Sequence, residues 1–324
     1  MQKNLESFFI NKKFIYKKIE INNDSFKTIL PLFSGESYPI FENSPFHILA
    51  YIKYDHDIFW VSQKDFSFIL AINFNNNNIL LLCPLIYNFQ SFYETVLLIK
   101  KIINTKEIQI QSLNNLWMEK FKNELEKIEK RIEVRSPREV VYDVKKLIDL
   151  KGSEFSKIRN TKNRLIKNNI LNFYAVDNEN IQDVMNILNI WNETQGKKYQ
   201  KKRKDKEKFM LETFKNINNS HEFKNFFCFE IGYINNQAVS LCVFHKSIQK
   251  EGWGIIYSIK GINRTCDGGF RGVSDATYLH CFEKAHNLGI SFLNDGELGT
   301  EEGTASHKLR FKPVMFLKSF DLFL

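Results

Sequence analysis

This 324-residue chain is short of the residues that build the commonest recognisable sites. It has only five cysteines, Cys83, Cys228, Cys242, Cys266 and Cys281. No two stand in a C-x-x-C spacing, which removes the usual zinc-ribbon and dithiol readings. An odd, scattered set in apolar surroundings points to reduced thiols and a cytoplasmic protein. Six prolines and 14 glycines are too few for a linker or a low-complexity chain. Long apolar runs are missing too. The longest, residues 66–74 and 79–89, contain Asn, Cys or Pro and fall short of the ~20 residues of a membrane helix. The first residues carry no apolar signal core. The histidines show no H-x-x-x-H or H-E-x-x-H spacing, and no G-x-S-x-G is present, so neither a metalloprotease nor a serine hydrolase is supported.

What the chain does have is a core and a positive charge. Its hydrophobic content is 43%, and it contains 30 Phe. The net charge of +9 favours a polyanionic partner: nucleic acid, an anionic lipid surface or a phosphorylated cofactor. The spread of Asn, Lys, Ile and Phe over the whole length reads as genome composition rather than function.

Residues 58–61, 66–74 and 79–85 predict a three-strand meander, with Asn75 to Asn78 as a turn. Helical spacing follows over 89–103, then a short strand at 108–110 and an amphipathic helix at 115–130. Ser136 and Pro137 interrupt the pattern, and the domain boundary is placed there, giving domains 1–135 and 136–324. A basic helix is expected over 155–168, a strand over 171–176, a helix over 180–195 and a lysine-rich helix over 205–217. Strands 226–234, 238–246 and 253–260 form a second meander. A helix over 278–288 and strands 290–293 and 314–320 complete the chain. This order is α/β or α+β, and the second half repeats the element order of the first.

Four segments are candidates for function. Lys157, Arg159, Lys162 and Arg164 crowd one stretch without an acid among them. They make either a phosphate-holding surface or a solvated helix. Residues 197–208 are more basic still, with Tyr199 as the one aromatic, and read as an RNA or headgroup footprint or as a solvated loop. Residues 261–275 place Arg264, Gly268, Gly269 and Arg271 between a strand and a helix. That is a fitting anion cradle, with Ser274 or Asp275 as a helix cap. The fourth is a glycine-rich loop after strand 290–293, leading into a cationic segment. Asp295 or Glu297 there suits a proton acceptor, and Lys308 and Arg310 suit an oxyanion or a phosphate. A solvated loop explains the same composition.

The ordered set Tyr142, Leu147, Leu150-Lys151-Gly152, Lys157-Ile158-Arg159-Asn160, Arg164, Trp191-Asn192, Asn294-Asp295-Gly296-Glu297-Leu298-Gly299, Glu302-Gly303 and His307-Lys308-Leu309-Arg310-Phe311-Lys312-Pro313-Val314 resembles soluble relatives of the phosphatidylglycerol lysyltransferase C-terminal domain. The ending Lys308-x-x-Phe311-x-Pro313 is its most specific part and also resembles the end of Fem-type peptidyltransferases. The resemblance implies two tandem GNAT-like (acetyltransferase-type) domains, each a mixed, mostly antiparallel sheet flanked by helices. It implies transfer of an aminoacyl group from aminoacyl-tRNA to an amine or hydroxyl on a small molecule, a peptide or a lipid headgroup. It puts Lys308 near the activated carbonyl and residues 157–164 toward the donor. Trp191, Asn192, Asn294 and Phe311 are the expected cleft residues. No permanently bound cofactor or metal is implied. Two alternatives stand beside this: an acyl-CoA-dependent N-acyltransferase, and a non-catalytic RNA-binding or scaffold module.

Overall fold

In the computed structural model, the described residues are 2–20, 39–76, 78–168, 170–194, 209, 211, 213, 226–247, 250–262, 270–299 and 302–324. The chain divides into two compact units. The first comprises Met1–Glu139 with Ile248–Lys250 and Leu317–Leu324, and the second Val140–Ser247 with Glu251–Phe316.

The first unit is a sheet in the order β1-β2-β3-β4-β5-β12. Its strands are β1 (Ile15–Lys18), β2 (Asp57–Gln63), β3 (Phe66–Asn73), β4 (Asn78–Ile86), β5 (Gln109–Asn114) and the chain's last strand, β12 (Met315–Phe323). The meander β2–β3–β4 is antiparallel, and β4 meets β5 in parallel. A parallel neighbour needs a crossover, and helix α2 (Phe89–Ile103) provides it, after the N-terminal helix α1 (Gln2–Asn11). Asn88 caps α2 by accepting from Ser91 N, and Asn104 ends it at φ 58°. The core buries Phe59, Phe66, Phe68 and Phe92, with rings meeting edge-on or stacked at 4.8–6.4 Å across the cluster.

The second unit has the order β6-β11-β10-β9-β8-β7. These are β6 (Arg131–Asp143), of which Val140–Asp143 belong to this unit and Arg131–Glu139 to the first, β7 (Asn172–Ala175), β8 (Phe227–Ile234), β9 (Gln237–Lys246), β10 (Trp253–Gly261) and β11 (Phe292–Glu297). Strands β7 to β10 are antiparallel, and β10 runs parallel to β11. Helix α7 (Val273–Asn287) makes that crossover, and a second core forms beneath it around Tyr142, Phe155, Phe282 and Phe311. Before α7 come α3 (Asn115–Lys120), α4 (Val144–Asp149), α5 (Ser156–Lys162) and α6 (Ile181–Thr194). After it comes α8 (Glu302–Arg310).

Several sequence expectations are corrected. Pro137 does not interrupt the chain but lies inside β6. Its fixed φ suits extended backbone, and its missing N–H is tolerated wherever a strand residue does not donate. The expected helix 115–130 breaks at Phe121, whose φ −110° and ψ 19° lie outside the helical well, leaving only α3 and a short turn Lys122–Leu125. The basic helix 155–168 is α5 followed by a π-helical turn, Asn163–Lys167. Helix α7 starts at Val273, not 278, and its cap position is Gly272 at φ 85°, without a side-chain cap from Ser274 or Asp275. The cationic part of the tail is no loop but the last turn of α8. Cations there complement the negative end of the helix dipole. The expected helix 205–217 and the basic segment 197–208 lie outside the described residues, except positions 209, 211 and 213.

One charged cluster ties the first unit together. Arg135 pairs with Glu42 through Nε and through Nη2 (3.1 Å), and with Asp321 through Nη1 (3.0 Å). Gln109 and the Ser112 backbone also donate to Asp321, and the Ser112 hydroxyl donates to Glu42. Burial pushes the Glu42 carboxyl up, but its bonds to Arg135 outweigh that and hold it at about 2. A depressed carboxylate contributes stability above its ordinary range, and that contribution disappears as pH falls through the folded value. Denaturation midpoints of the wild type are therefore expected to fall between pH ~4.5 and ~2, and Glu42→Gln to flatten that fall. At neutral pH, Arg135→Ala is expected to cost about 1.5–3 kcal/mol. An unchanged midpoint in both variants refutes this role.

Candidate active site

Strand β11 carries the candidate site. Asn294 and Asp295 are buried near its end, and Glu297 is exposed at the last position. Gly296 adopts φ 66°, a left-handed backbone that favours glycine, and its N–H donates to Asn294 Oδ1 at 2.8 Å. That kink turns the chain between a buried Asp295 and an outward Glu297.

Asp295 is held from two sides. The Tyr278 hydroxyl donates to its Oδ2 at 2.8 Å. The Tyr142 hydroxyl lies 3.2 Å from the same oxygen and 3.1 Å from the Lys308 carbonyl, sharing its proton between them. Burial, then the Asp295 charge, pushes both phenols well above their ordinary values, so they stay protonated donors. The Lys308 ammonium donates to the carbonyls of Asp295 and of Glu297 (2.9 Å) and lies 3.5 Å from Asp295 Oδ2. It therefore clamps the end of β11 to α8.

A second ionic group sits one turn from the first. Asp275 and Tyr278 share a face of α7, three residues apart. Arg310 donates to both Asp275 oxygens, at 3.0 and 2.8 Å. His307 Nε2 lies 2.9 Å from Asp275 Oδ1, off the line of a well-formed hydrogen bond. Burial pushes the Asp275 carboxyl up, but His307 and Arg310 outweigh it and hold the group below its ordinary value. Phe311 stacks on Tyr278 at 4.8 Å and meets Tyr142 and Phe282 edge-on. This aromatic wedge fixes the angle at which the last turn of α8 delivers His307, Lys308 and Arg310.

The structure thus brings Asp295, Glu297, Lys308, Asn294, Arg310 and Phe311 together around β11 and α8. The anion-cradle residues are arranged differently. Arg159 donates to the carbonyls of Leu150 and Gly152 (2.6 Å to the latter), so it closes a loop. Arg164 donates to the Arg271 carbonyl, which brings the π-helical turn to the start of α7. Lys157 is exposed on α5. Arg264, Gly268 and Gly269 lie outside the described residues, as does the Asn192 side chain. Trp191 is half-buried on α6, with the Lys260 ammonium 4.9 Å from its ring. Sequence reasoning passed over Tyr142, Tyr278, Asp275 and His307. Tyr142 and His307 stood inside the resembling motif, but no spacing rule marks two tyrosines 136 positions apart as partners on one carboxylate. Among the described residues, no group of three His, Cys, Asp or Glu could hold a metal ion.

The profile of the phosphatidylglycerol lysyltransferase C-terminal family matches residues 118–314, more than half of the chain and including β11 and α8. The chain belongs to this family. No curated protein sequence matches it. Among solved structures it is similar to the L-PGS from Bacillus licheniformis, with 14% identity over 94% of this chain and 92% of that one and a TM-score of 0.61. It is similar to FemX, with 9% identity over 94% and 96% and a TM-score of 0.63. A tandem GNAT protein from the clavulanic acid biosynthesis pathway shares 6% identity over 96% and 98%, with a TM-score of 0.55. Identities this low show the fold alone: mixed α/β and GNAT-like. Family and fold together support a transferase of the acyltransferase type. No helix among the described residues is long and apolar enough to cross a membrane.

The phenol pair gives a direct test. Tyr142→Phe and Tyr278→Phe are each expected to cost about 1 kcal/mol in a denaturant titration. The double variant should cost more than the sum, because the buried Asp295 then keeps only Lys308. Strict additivity would remove the shared role.

Proposed function

We propose that the protein moves an aminoacyl group from aminoacyl-tRNA to an amine or hydroxyl acceptor, without a covalent enzyme intermediate. The observation that carries this reading is the set of groups around β11 and α8. An exposed carboxylate, Glu297, ends β11, and an exposed cation, Arg310, ends α8, the two elements being joined by the Asp295–Tyr142–Tyr278–Lys308 cluster. The cysteines whose side chains are described, Cys228, Cys242 and Cys281, are buried with thiols pushed up, which makes them poor nucleophiles. An aminoacyl ester is already activated. Its transfer needs an aligned acceptor, a proton acceptor and stabilisation of the developing oxyanion.

In this reading, Glu297 takes the proton from the acceptor nucleophile as the new bond to the acyl carbon forms. The Arg310 guanidinium, oriented by Asp275, steadies the oxyanion. The intermediate then collapses with departure of the tRNA terminal hydroxyl, which regains a proton. Asp295 and Lys308 position Glu297 rather than touch the substrate. The net charge of +9 and the cations of residues 157–167 support a nucleic-acid donor. The acceptor in this reading is a small molecule, a peptide or a lipid headgroup.

Two measurements test this. The protein should retard aminoacyl-tRNA in a gel at low salt, with affinity falling steeply as salt rises. Glu297→Gln should lower the rate of transfer by roughly 100-fold while leaving donor affinity unchanged. The reading is lost if tRNA is not bound below ~50 mM salt and coenzyme A, near 100 times its dissociation constant, instead stabilises the protein by about 2.7 kcal/mol.

A further inference from the structure

Strand β7 lies at the outer end of the second unit's strand order and pairs only with β8 among the described strands. Phe173 stacks on the His280 imidazole, with ring centres 3.7 Å apart and planes 4° from parallel. A Cβ at Gly232, opposite Phe173, would come within 2.9 Å of that ring, so the glycine makes room for it. Alternation along the strand then puts Asn172 and Tyr174 on the opposite face from Phe173. Tyr233 joins them, since it is the register partner of Asn172. Its hydroxyl donates to Asp183 Oδ2 at 2.7 Å, which fixes the ring. The next hairpin turns through Asn235 and Asn236, both left-handed at φ 49° and 63°.

These residues enclose an open cavity of about 580 Å³, lined by Ile170, Asn172, Tyr174, Tyr233, Asn235 and Asn236. Tyr174 keeps 57% of its surface exposed and meets Tyr233 edge-on at 5.9 Å. Among the described residues, no charged side chain lines the space. It offers aromatic surface together with the exposed side-chain amides of Asn235 and Asn236, each of which both donates and accepts. The cations begin at its rim. Ile170 N and Leu171 N both bond to the Leu165 carbonyl, tying the cavity wall to the π-helical turn that carries Arg164 and Lys167. From there, α5 adds the exposed Lys157, while Arg159 is turned to the carbonyls of Leu150 and Gly152 and Lys162 to Glu283. Through its bond to the Arg271 carbonyl, Arg164 brings this segment to the start of α7, the turn that holds Asp275. A cationic strip thus runs from a neutral aromatic cavity to the helix end beside the candidate site.

We propose that this cavity stacks one unpaired nucleobase of the RNA donor, while the exposed cations Lys157, Arg164 and Lys167 follow its phosphates. The proposal rests on the aminoacyl-tRNA reading above and adds a second place where the RNA is held. Bases splayed from single-stranded RNA are recognised by stacking on aromatic side chains and by hydrogen bonds along their edges, as this lining allows. A neutral saccharide would suit the lining equally, but it gives no role to the strip at the rim.

Filter binding of an unacylated tRNA transcript across a salt series tests this with wild type, Tyr174→Ala, Tyr174→Phe and Lys167→Ala. All three substitutions are at exposed or partly exposed positions, and matching thermal melts will confirm their folds. Tyr174→Ala should weaken binding roughly 10-fold without changing the salt slope, and Tyr174→Phe should bind like wild type. Lys167→Ala should weaken binding and lower the slope by about one. If wild type binds the transcript and Tyr174→Ala binds it equally well, the cavity assignment falls while the donor reading stands. If wild type does not bind the transcript at low salt, the donor reading falls and takes this one with it. Displacement of the RNA by a neutral oligosaccharide from wild type but not from Tyr174→Ala would overturn the nucleobase in favour of a sugar.

Discussion

The candidate site depends on where one ammonium group ends. The Lys308 side chain is only 13% exposed, and a cation taken that far from water is costly unless its donors are met. Here they are met by two consecutive features of β11: the carbonyls of Asp295 and Glu297, and the Asp295 carboxylate. Carbonyls cannot change their charge and move only with the backbone. Lys308 therefore fixes the path of the strand end, and with it the direction in which Glu297 leaves the sheet. The two phenols complete the arrangement from below. They are neutral donors whose own burial keeps them protonated, so they stabilise the Asp295 carboxylate without adding a competing charge.

Buried charge has a different consequence in the first unit. There Arg135 lies between Glu42 and Asp321, and the remaining acceptor positions are met by Gln109 and Ser112. Every group in that cluster faces another from a different segment: the turn Phe41–Asn43, β5, β6 and β12. Such a network specifies how segments distant in sequence meet. The exposed ends around β11 are not used up in this way. Glu297 faces solvent, and the Arg310 side chain keeps 46% of its surface. That contrast is why the proposed chemistry is assigned to the second cluster and an architectural role to the first.

The fold was legible wherever a local rule sufficed. Apolar runs and an Asn-rich turn marked β2 to β4, and helical spacing marked α2. The glycine-rich stretch drew attention to Asp295 and Glu297, and Gly296 kinks the strand between them. Misreadings came where a local rule met a tertiary context. Pro137 is a breaker in isolation and acceptable in β6. Residues 302–310 looked like a loop because Gly303 and polar residues lower helix propensity, yet packing of Phe311 against Tyr278 and Phe282 supports the helix. Lys157 to Arg164 read as one basic surface, but Arg159 is turned to backbone carbonyls and Lys162 to Glu283, 2.6 Å away. Which cations stay available is a property of neighbours that composition does not encode.

The same limit explains why the tyrosines went unseen. A phenol contributes to such a site by being buried beside a carboxylate, and burial is decided by strands and helices far apart in the chain. Tyr142 ends β6, Tyr278 lies on α7, and Asp295 is on β11. Only parallel pairing of β10 with β11 across the α7 crossover brings α7 over the strand that carries the acid. Topology therefore precedes chemistry here. The right-handed crossover expected for parallel neighbours places one face of α7 above β11, and the residues on that face, Asp275 and Tyr278, become the partners of Arg310 and Asp295. A carboxylate at the end of an inner strand, beneath the first turns of a crossover helix, is held by whatever that helix presents. In this chain the helix presents a phenol and a second carboxylate. The phenol makes Asp295 a fixed anchor, and the carboxylate orients Arg310 at the surface. In the proposed mechanism, proton transfer is left to Glu297, the acid that the Gly296 kink turns outward.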